Sequence, residues 1–215
     1  MSAALRQALR LYLIADRGFP SRVPFLTAIQ QAVEGGVTLV QLRDKSADAR
    51  AFLRETLVVR DMLRRSGVKL IVNDRIDVAL AAAADGVHLG QTDLPPSIAR
   101  KVLGPHAIIG LSIETAAQLE DREREAADYL GVGPVFPTMT KPDAATPIGL
   151  DGLKSIVTEA RMPVGAIGGI DVSNARSVMA TGADGICVVS AILGAADPRA
   201  AAVALVDALP KEAAA

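Results

Sequence analysis

Short apolar runs and longer amphipathic stretches alternate along the whole chain. The strand candidates are Leu11–Asp16, Thr38–Arg43, Lys69–Asn73, Gly86–Leu89, Ile108–Ser112, Tyr129–Pro134, Val164–Ile167 and Gly185–Ser190. Most read as continuous apolar runs, the pattern of strands covered on both faces. Between them lie helical patterns such as Ala51–Arg65 and Ser173–Thr181. Parallel strands need a crossover connection, so this alternation predicts a parallel sheet with helices outside it.

One punctuation recurs. Glu34-Gly35-Gly36-Val37, Ser66-Gly67-Val68, Ala84-Asp85-Gly86-Val87, Ala127-Asp128-Tyr129-Leu130 and Ala183-Asp184-Gly185-Ile186 each close a helix and open a strand. Glycine suits the left-handed turn that stops a helix, and the next apolar residue enters the sheet. Eight strands of this kind favour a closed barrel over an open doubly wound sheet, and no Gly-x-Gly-x-x-Gly follows the first strand. The expected fold is α/β, a single (β/α)8 TIM barrel spanning residues 1–215 as one domain, with a dispensable Ala-rich tail after Pro210.

Composition removes several function classes. A net charge of −1 supplies no basic field for nucleic acid or anionic membrane. Trp is absent and aromatics make up 3% of the chain, too few for a base-stacking platform. The lone Cys187 lies in an apolar run and reads as a buried thiol, and no Cys/His spacing suggests zinc. No apolar run approaches the ~18 residues of a membrane span, and the N-terminus is too charged for a signal-peptide core. The expected partners are therefore small molecules, and the expected location is cytoplasmic. Self-association into a homo-oligomer is left open.

In this barrel the active site lies at the C-terminal ends of the strands. The second strand ends in Gln41-Leu42-Arg43-Asp44-Lys45, and alternation sends Gln41, Arg43 and Lys45 to one side. Arg supplies a planar fork for phosphate oxygens and Lys a mobile charge, although a solvated strand end is the plainer alternative. The third strand ends in Asn73-Asp74-Arg75, and the fourth leads to Asp93. Two carboxylates on neighbouring strands beside a phosphate suggest Mg²⁺; Asp93 also suits a turn before Leu94-Pro95-Pro96. His88 reads as barrel wall or core. After the sixth strand, glycines and prolines precede Thr138-Met139-Thr140-Lys141, and 142–149 reads as a polar loop of the kind that forms lids. After the last two strands, Gly168-Gly169 and Val189-Ser190 stand where this fold cradles phosphate. Two anion sites result, one with metal and one without.

At these residues the sequence resembles the thiamine phosphate synthase family. The resemblance rests on Gln41-Leu42-Arg43-Asp44-Lys45, Asn73-Asp74-Arg75, Gly86-Val87-His88-Leu89-Gly90-Gln91, Gly133 through Lys141, and Ala166-Ile167-Gly168-Gly169-Ile170. It implies a transferase that joins an aminopyrimidine methyl diphosphate to a thiazole phosphate or carboxythiazole phosphate, releasing diphosphate. It further implies that Gln41, Leu42, Arg43, Asp44, Lys45, Asn73, Ser112 and Lys141 hold the pyrimidine diphosphate, with Arg43, Lys45, Lys141 and Ser112 carrying catalysis. Asp74 and Asp93 would hold Mg²⁺, and Thr138, Met139, Thr140, Gly169, Val189 and Ser190 the thiazole phosphate. Where the family often has Ser-x-His after the fifth strand, this chain has Ser112-Ile113-Glu114. The first strand follows the family loosely and receives no function. The alternatives are a thiazole tautomerase-like relative, which makes no carbon–nitrogen bond, and a non-catalytic barrel that retains thiazole phosphate. A sugar-phosphate isomerase is disfavoured because the acid/base set it needs is not found.

Overall fold

The computed structural model describes residues 2–140 and 145–210. Eight parallel strands pair in chain order and close when the eighth pairs with the first. They are β1 (Leu11–Asp16), β2 (Leu39–Arg43), β3 (Lys69–Asn73), β4 (Gly86–Leu89), β5 (Ile108–Ile113), β6 (Tyr129–Val132), β7 (Val164–Ile167) and β8 (Gly185–Val188). The helices are α1 (Ser2–Leu9), α2 (Phe25–Glu34), α3 (Ala49–Leu63), α4 (Ile76–Ala82), α5 (Pro96–Leu103), α6 (Gly149–Ala160), α7 (Ala175–Met179), α8 (Ser190–Leu193) and α9 (Pro198–Ala208). Between β5 and β6 two 3-10 turns, Ala116–Glu120 and Arg122–Ala126, stand in for a helix. No helix among the described residues is long and apolar enough to cross a membrane.

The sheet separates two apolar layers. Outward-facing side chains such as Leu13, Val40, Leu42 and Val72 pack under the helices in one large cluster. Inward-facing Tyr12, Ile14, Leu39, Ile71, Tyr129 and Cys187 form a second cluster, which Leu5 and Leu9 of α1 join from below. Thus α1, ahead of the first strand, plugs the N-terminal end of the barrel.

Two glycines make that interior geometrically feasible. A Cβ at Gly110 would stand 2.2 Å from Tyr129 Cζ and 2.3 Å from His88 Nδ1. A Cβ at Gly185 would stand 1.8 Å from the Leu9 carbonyl oxygen. Small residues on one strand therefore admit large rings, or the plug, from another.

The recurrent Asp of the helix-to-strand turns has a structural task. Asp85, Asp128 and Asp184 precede β4, β6 and β8. Their carboxylates accept the backbone N–H of Leu70 (2.9 Å), Ile109 (2.8 Å) and Val164 (2.8 Å), each at or near the start of the preceding strand. Each is also paired with a cation: Lys69, Arg100 and Arg6 respectively. Alternate strand pairs are thus pinned at the end of the barrel opposite the polar rim.

Candidate active site

The C-terminal ends of the strands surround an open cavity of about 500 Å³. On the β2 side, the two-residue period of the strand sends Gln41, Arg43 and Lys45 into it. The same period turns Leu42 outward, where it is fully buried under the helices. The Asp44 side chain does not line the cavity either; it accepts the N–H groups of Ser46 (2.8 Å) and Ala47 (3.0 Å) and shapes the loop. Burial alone would raise the Asp44 carboxyl, but these bonds and the Ser46 hydroxyl outweigh it and hold it below the ordinary range. Of the five consecutive residues anticipated from the sequence, three present side chains to the site.

Arg43 does not stand alone. Its guanidinium pairs with Asp16, the last residue of β1, which is buried and also accepts the Gly18 N–H at 2.9 Å. Asp16 lines the cavity and holds Arg43 to the rim, a role the sequence did not suggest.

Lys45 pairs with Asp74. Asp74 has a φ of 60°, a left-handed conformation that Asp tolerates better than most residues. Such strain concentrates at functional sites. It turns the chain directly after β3, while the Asp74 N–H donates to the His88 carbonyl at 2.8 Å. Asn73 and Asp93 line the same wall, and Asp93 accepts the Gly90 N–H at 2.7 Å. Desolvation raises the Asp93 carboxyl above its ordinary range, and the neighbouring Asp74 carboxylate raises it further. Arg75, by contrast, turns out of the cavity and pairs with Asp77. Among the described residues lining the cavity, two cations, Arg43 and Lys45, face four carboxylates: Asp16, Asp74, Asp93 and Glu114.

The floor is a chain of buried polar groups. Gln41 Nε2 donates to the Tyr12 hydroxyl at 2.7 Å. The Tyr12 and Tyr129 hydroxyls are 2.8 Å apart, with their rings edge-to-face at 6.0 Å. The Tyr129 hydroxyl lies 3.0 Å from His88 Nδ1, and His88 Nε2 lies 3.0 Å from Ser112 Oγ. Desolvation pushes the His88 imidazole down to about 4, against the opposing pull of Asp74. Burial likewise pushes both phenols above their ordinary range. His88 thus belongs to the barrel interior, as the sequence suggested, but it lines the cavity as well. Tyr12 and Tyr129 gave no functional signal in sequence, where each reads as part of an apolar strand.

The opposite wall comes from β6 to β8. Gly168 and Gly169 have φ values of 102° and 64°. A Cβ at Gly169 would sit 2.6 Å from the Pro137 carbonyl oxygen, so the two loops touch where any side chain would part them. Thr138, Thr140, Val189 and Ser190 line the cavity there, and Thr138 Oγ1 accepts the Thr140 N–H at 3.2 Å. Met139 does not; it is 96% exposed and points to solvent. Lys141 and the first part of the anticipated lid lie outside the described residues. The structure therefore brings together Gln41, Arg43, Lys45, Asn73, Asp74, Asp93 and Ser112 on one side and Thr138, Thr140, Gly169, Val189 and Ser190 on the other.

The chain is similar over nearly its whole length to thiamine-phosphate synthases. The family model described as thiamine monophosphate synthase matches residues 11–192. A thiamine-phosphate synthase of Chloroflexus aurantiacus is 51% identical over 90% of this chain and 89% of its own. One of Albidiferax ferrireducens is 50% identical over 93% and 91%. Among solved structures, thiamine phosphate pyrophosphorylase from Pyrococcus furiosus superposes with a TM-score of 0.86 at 43% identity, covering 95% of this chain and 96% of the other.

Proposed function

The chain belongs to the thiamine monophosphate synthase family, and we propose that it joins an aminopyrimidine methyl diphosphate to a thiazole phosphate across the mouth of its barrel. It is a transferase of thiamine biosynthesis. In this reading the β2-to-β5 wall takes the pyrimidine diphosphate and the β6-to-β8 wall takes the thiazole phosphate. The observation that carries the assignment is the two-sided rim. Charged and amide side chains converge on one wall, while hydroxyls and an open, side-chain-free glycine turn stand across the same cavity.

The charge count supports a divalent cation on the first wall. Among the described residues the rim carries more carboxylates than cations, which repels a polyanion, and desolvation together with Asp74 already makes Asp93 resist ionisation. Mg²⁺ is commonly held by one or two carboxylates, with phosphate oxygens and water completing its shell. Asp74 and Asp93 fit that requirement. The described residues hold no group of three or more His, Cys, Asp or Glu side chains suited to a metal, so the protein would supply a partial shell only. When bound, the ion would neutralise charge on the diphosphate.

The remaining chemistry falls to the chain's own groups. Arg43, held by Asp16, and Lys45, held by Asp74, meet diphosphate oxygens and stabilise the charge that grows there as the bond to the methylene carbon breaks. The electron pair of that bond leaves with diphosphate. The electron-rich pyrimidine stabilises the cationic methylene, and the thiazole nitrogen supplies the pair for the new carbon–nitrogen bond. No protein nucleophile is required, so catalysis is positioning plus electrostatics. Ser112 and Gln41 orient the pyrimidine side, and Ser190 with the Gly169 backbone orients the thiazole phosphate. Lys141 completes the cationic set on this reading. The enzyme acts as one barrel domain over residues 1–215 in the cytoplasm, with its two substrates as partners.

The test is a coupling assay with purified protein, both substrates and Mg²⁺ beside an EDTA control, reading the fluorescence of the oxidised product. Product only with metal is expected. Folded protein that forms none would overturn the reading, and product undiminished by EDTA would overturn the metal.

A further inference from the structure

Five polar side chains from five different strands form an unbroken line through the barrel floor, from Gln41 on β2 to Ser112 on β5. Its two ends are the residues assigned above to the pyrimidine side. A hydroxyl has one hydrogen to give, and a buried hydrogen needs an acceptor, so a hydroxyl that accepts from one neighbour in the line gives its hydrogen to the other. Gln41 Nε2 donates to Tyr12, which leaves the Tyr12 hydrogen for Tyr129. Tyr129 then donates to His88 Nδ1, which must be bare to accept it. The single ring hydrogen therefore sits on Nε2 and is given to Ser112 Oγ. The Ser112 hydrogen is left over, on a residue that lines the cavity.

We propose that Tyr12, Tyr129 and His88 are positioning residues that act through Ser112: they lock His88 as its Nε2–H tautomer and present the Ser112 hydroxyl as a donor to the substrate. The inference rests on the assignment of Ser112 to the substrate side. Each internal member is held in place by more than its hydrogen bonds. The two phenol rings meet edge-to-face, the His88 ring lies 5.5 Å from that of Tyr129, and Gly110 leaves the space they fill. In such an enclosed setting every unmatched polar group is costly, so no bond of the line changes direction alone. Gln41 and Ser112, at opposite ends of the line, are thereby coupled.

Two measurements test this. The chain has two histidines, His88 and the exposed His106, so the imidazole ¹⁵N spectrum of substrate-free protein is readily assigned with His106→Gln. His88 protonated at Nε2 is expected; protonation at Nδ1 overturns the proposal whatever the activity. Tyr129→Phe keeps the ring and breaks the line, and the Nδ1 resonance should move as its accepted bond is lost. An unmoved resonance counts against the proposal. The second measurement is steady-state turnover of Ser112→Ala, Tyr129→Phe and the double variant. Tyr129→Phe should lower kcat about 10–100-fold, the range for groups that orient a functional residue. The double variant should be no slower than Ser112→Ala, because the tyrosine acts through the serine. Additive losses would overturn the coupling. Should Ser112→Ala alone leave turnover unchanged, the substrate assignment of Ser112 fails, while the spectrum still decides the tautomer.

Discussion

Asp93 sits where folding and function pull in opposite directions, and replacing it with asparagine separates them. Its carboxyl is raised above the ordinary range by desolvation and by Asp74, with the Gly90 N–H and Lys45 acting the other way. A carboxyl raised in the folded state costs nothing below its unfolded value. It destabilises progressively as pH rises toward the folded value, and the full penalty is present above it. As a general scale, like charges about 4 Å apart repel by roughly 4 kcal/mol at an effective dielectric of about 20, an upper bound for neighbouring carboxylates. Asp93 is only partly buried and Lys45 lies nearby, so solvent and counter-charge reduce this to about 0–1 kcal/mol. The amide side chain of the variant would keep an oxygen for the Gly90 N–H while removing the charge. In metal-free buffer at neutral pH, Asp93→Asn should therefore melt at the wild-type temperature or up to about 4 °C above it, at roughly 2–4 °C per kcal/mol for this chain length. The difference should shrink as pH falls through the folded carboxyl's range. Turnover should drop on the order of 100-fold, the scale for losing one group that stabilises developing charge. Scanning calorimetry across pH and the coupling assay provide the two readings. A loss of several degrees at neutral pH, or wild-type turnover, would refute the reasoning: the first would make Asp93 a structural turn residue, and the second would remove it from the metal site.

Three further substitutions probe the floor, the cationic wall and the thiazole wall. Gly110→Ala places a methyl against Tyr129 and His88, and overpacking of this kind costs about 1–3 kcal/mol, or roughly 2–12 °C in Tm; an unchanged melting curve would show that the barrel floor can give way. Asp16→Asn frees Arg43 from its partner and should lower kcat/KM for the pyrimidine diphosphate about tenfold or more through misplacement, with an unchanged value counting against Asp16 as its holder. Ser190→Ala removes one hydrogen bond to a charged ligand, worth about 1.5–3 kcal/mol, so calorimetric titration should find thiazole phosphate bound roughly tenfold or more weakly and inorganic diphosphate unaffected.

Much of the fold was legible because a parallel barrel writes its strands as short apolar blocks. β1, β3, β4 and β7 begin and end where the sequence predicts. The misses fall at ends where chemistry takes over. The run toward Ser190 stops at Val188 because α8 opens at Ser190, and α3 starts two residues early because the Asp48 side chain caps it through Ala51. The helix-to-strand turns were read for their glycines, but the aspartates beside them make the contacts that tie strand pairs. That tie spans 15 to 20 residues, and no local pattern reports it. Strand alternation sends Gln41, Arg43 and Lys45 to one side, and all three line the cavity. The resemblance covered the whole segment and so also included Leu42 and Asp44, whose side chains lie elsewhere. Alternation is a statement about side chains, whereas a matched motif is a statement about position.

What remained illegible shares one physical cause. Tyr12 and Tyr129 occupy inward positions of apolar strands, so their sequence context is that of core residues. The polar atom each contributes is a single hydroxyl whose partners come from other strands. Only closure of the barrel brings β1, β2, β4, β5 and β6 around one axis. Only the missing side chain at Gly110 lets the rings approach closely enough to bond. The glycine is visible in sequence, but Tyr129, for which it makes room, lies on the next strand. A purely apolar floor would bury these positions at lower electrostatic cost. A line of five matched polar groups is tolerated there because each bond satisfies the next, and Ser112 at its end lines the cavity. That placement, more than any one residue type, argues that the floor of this barrel takes part in arranging the reaction above it.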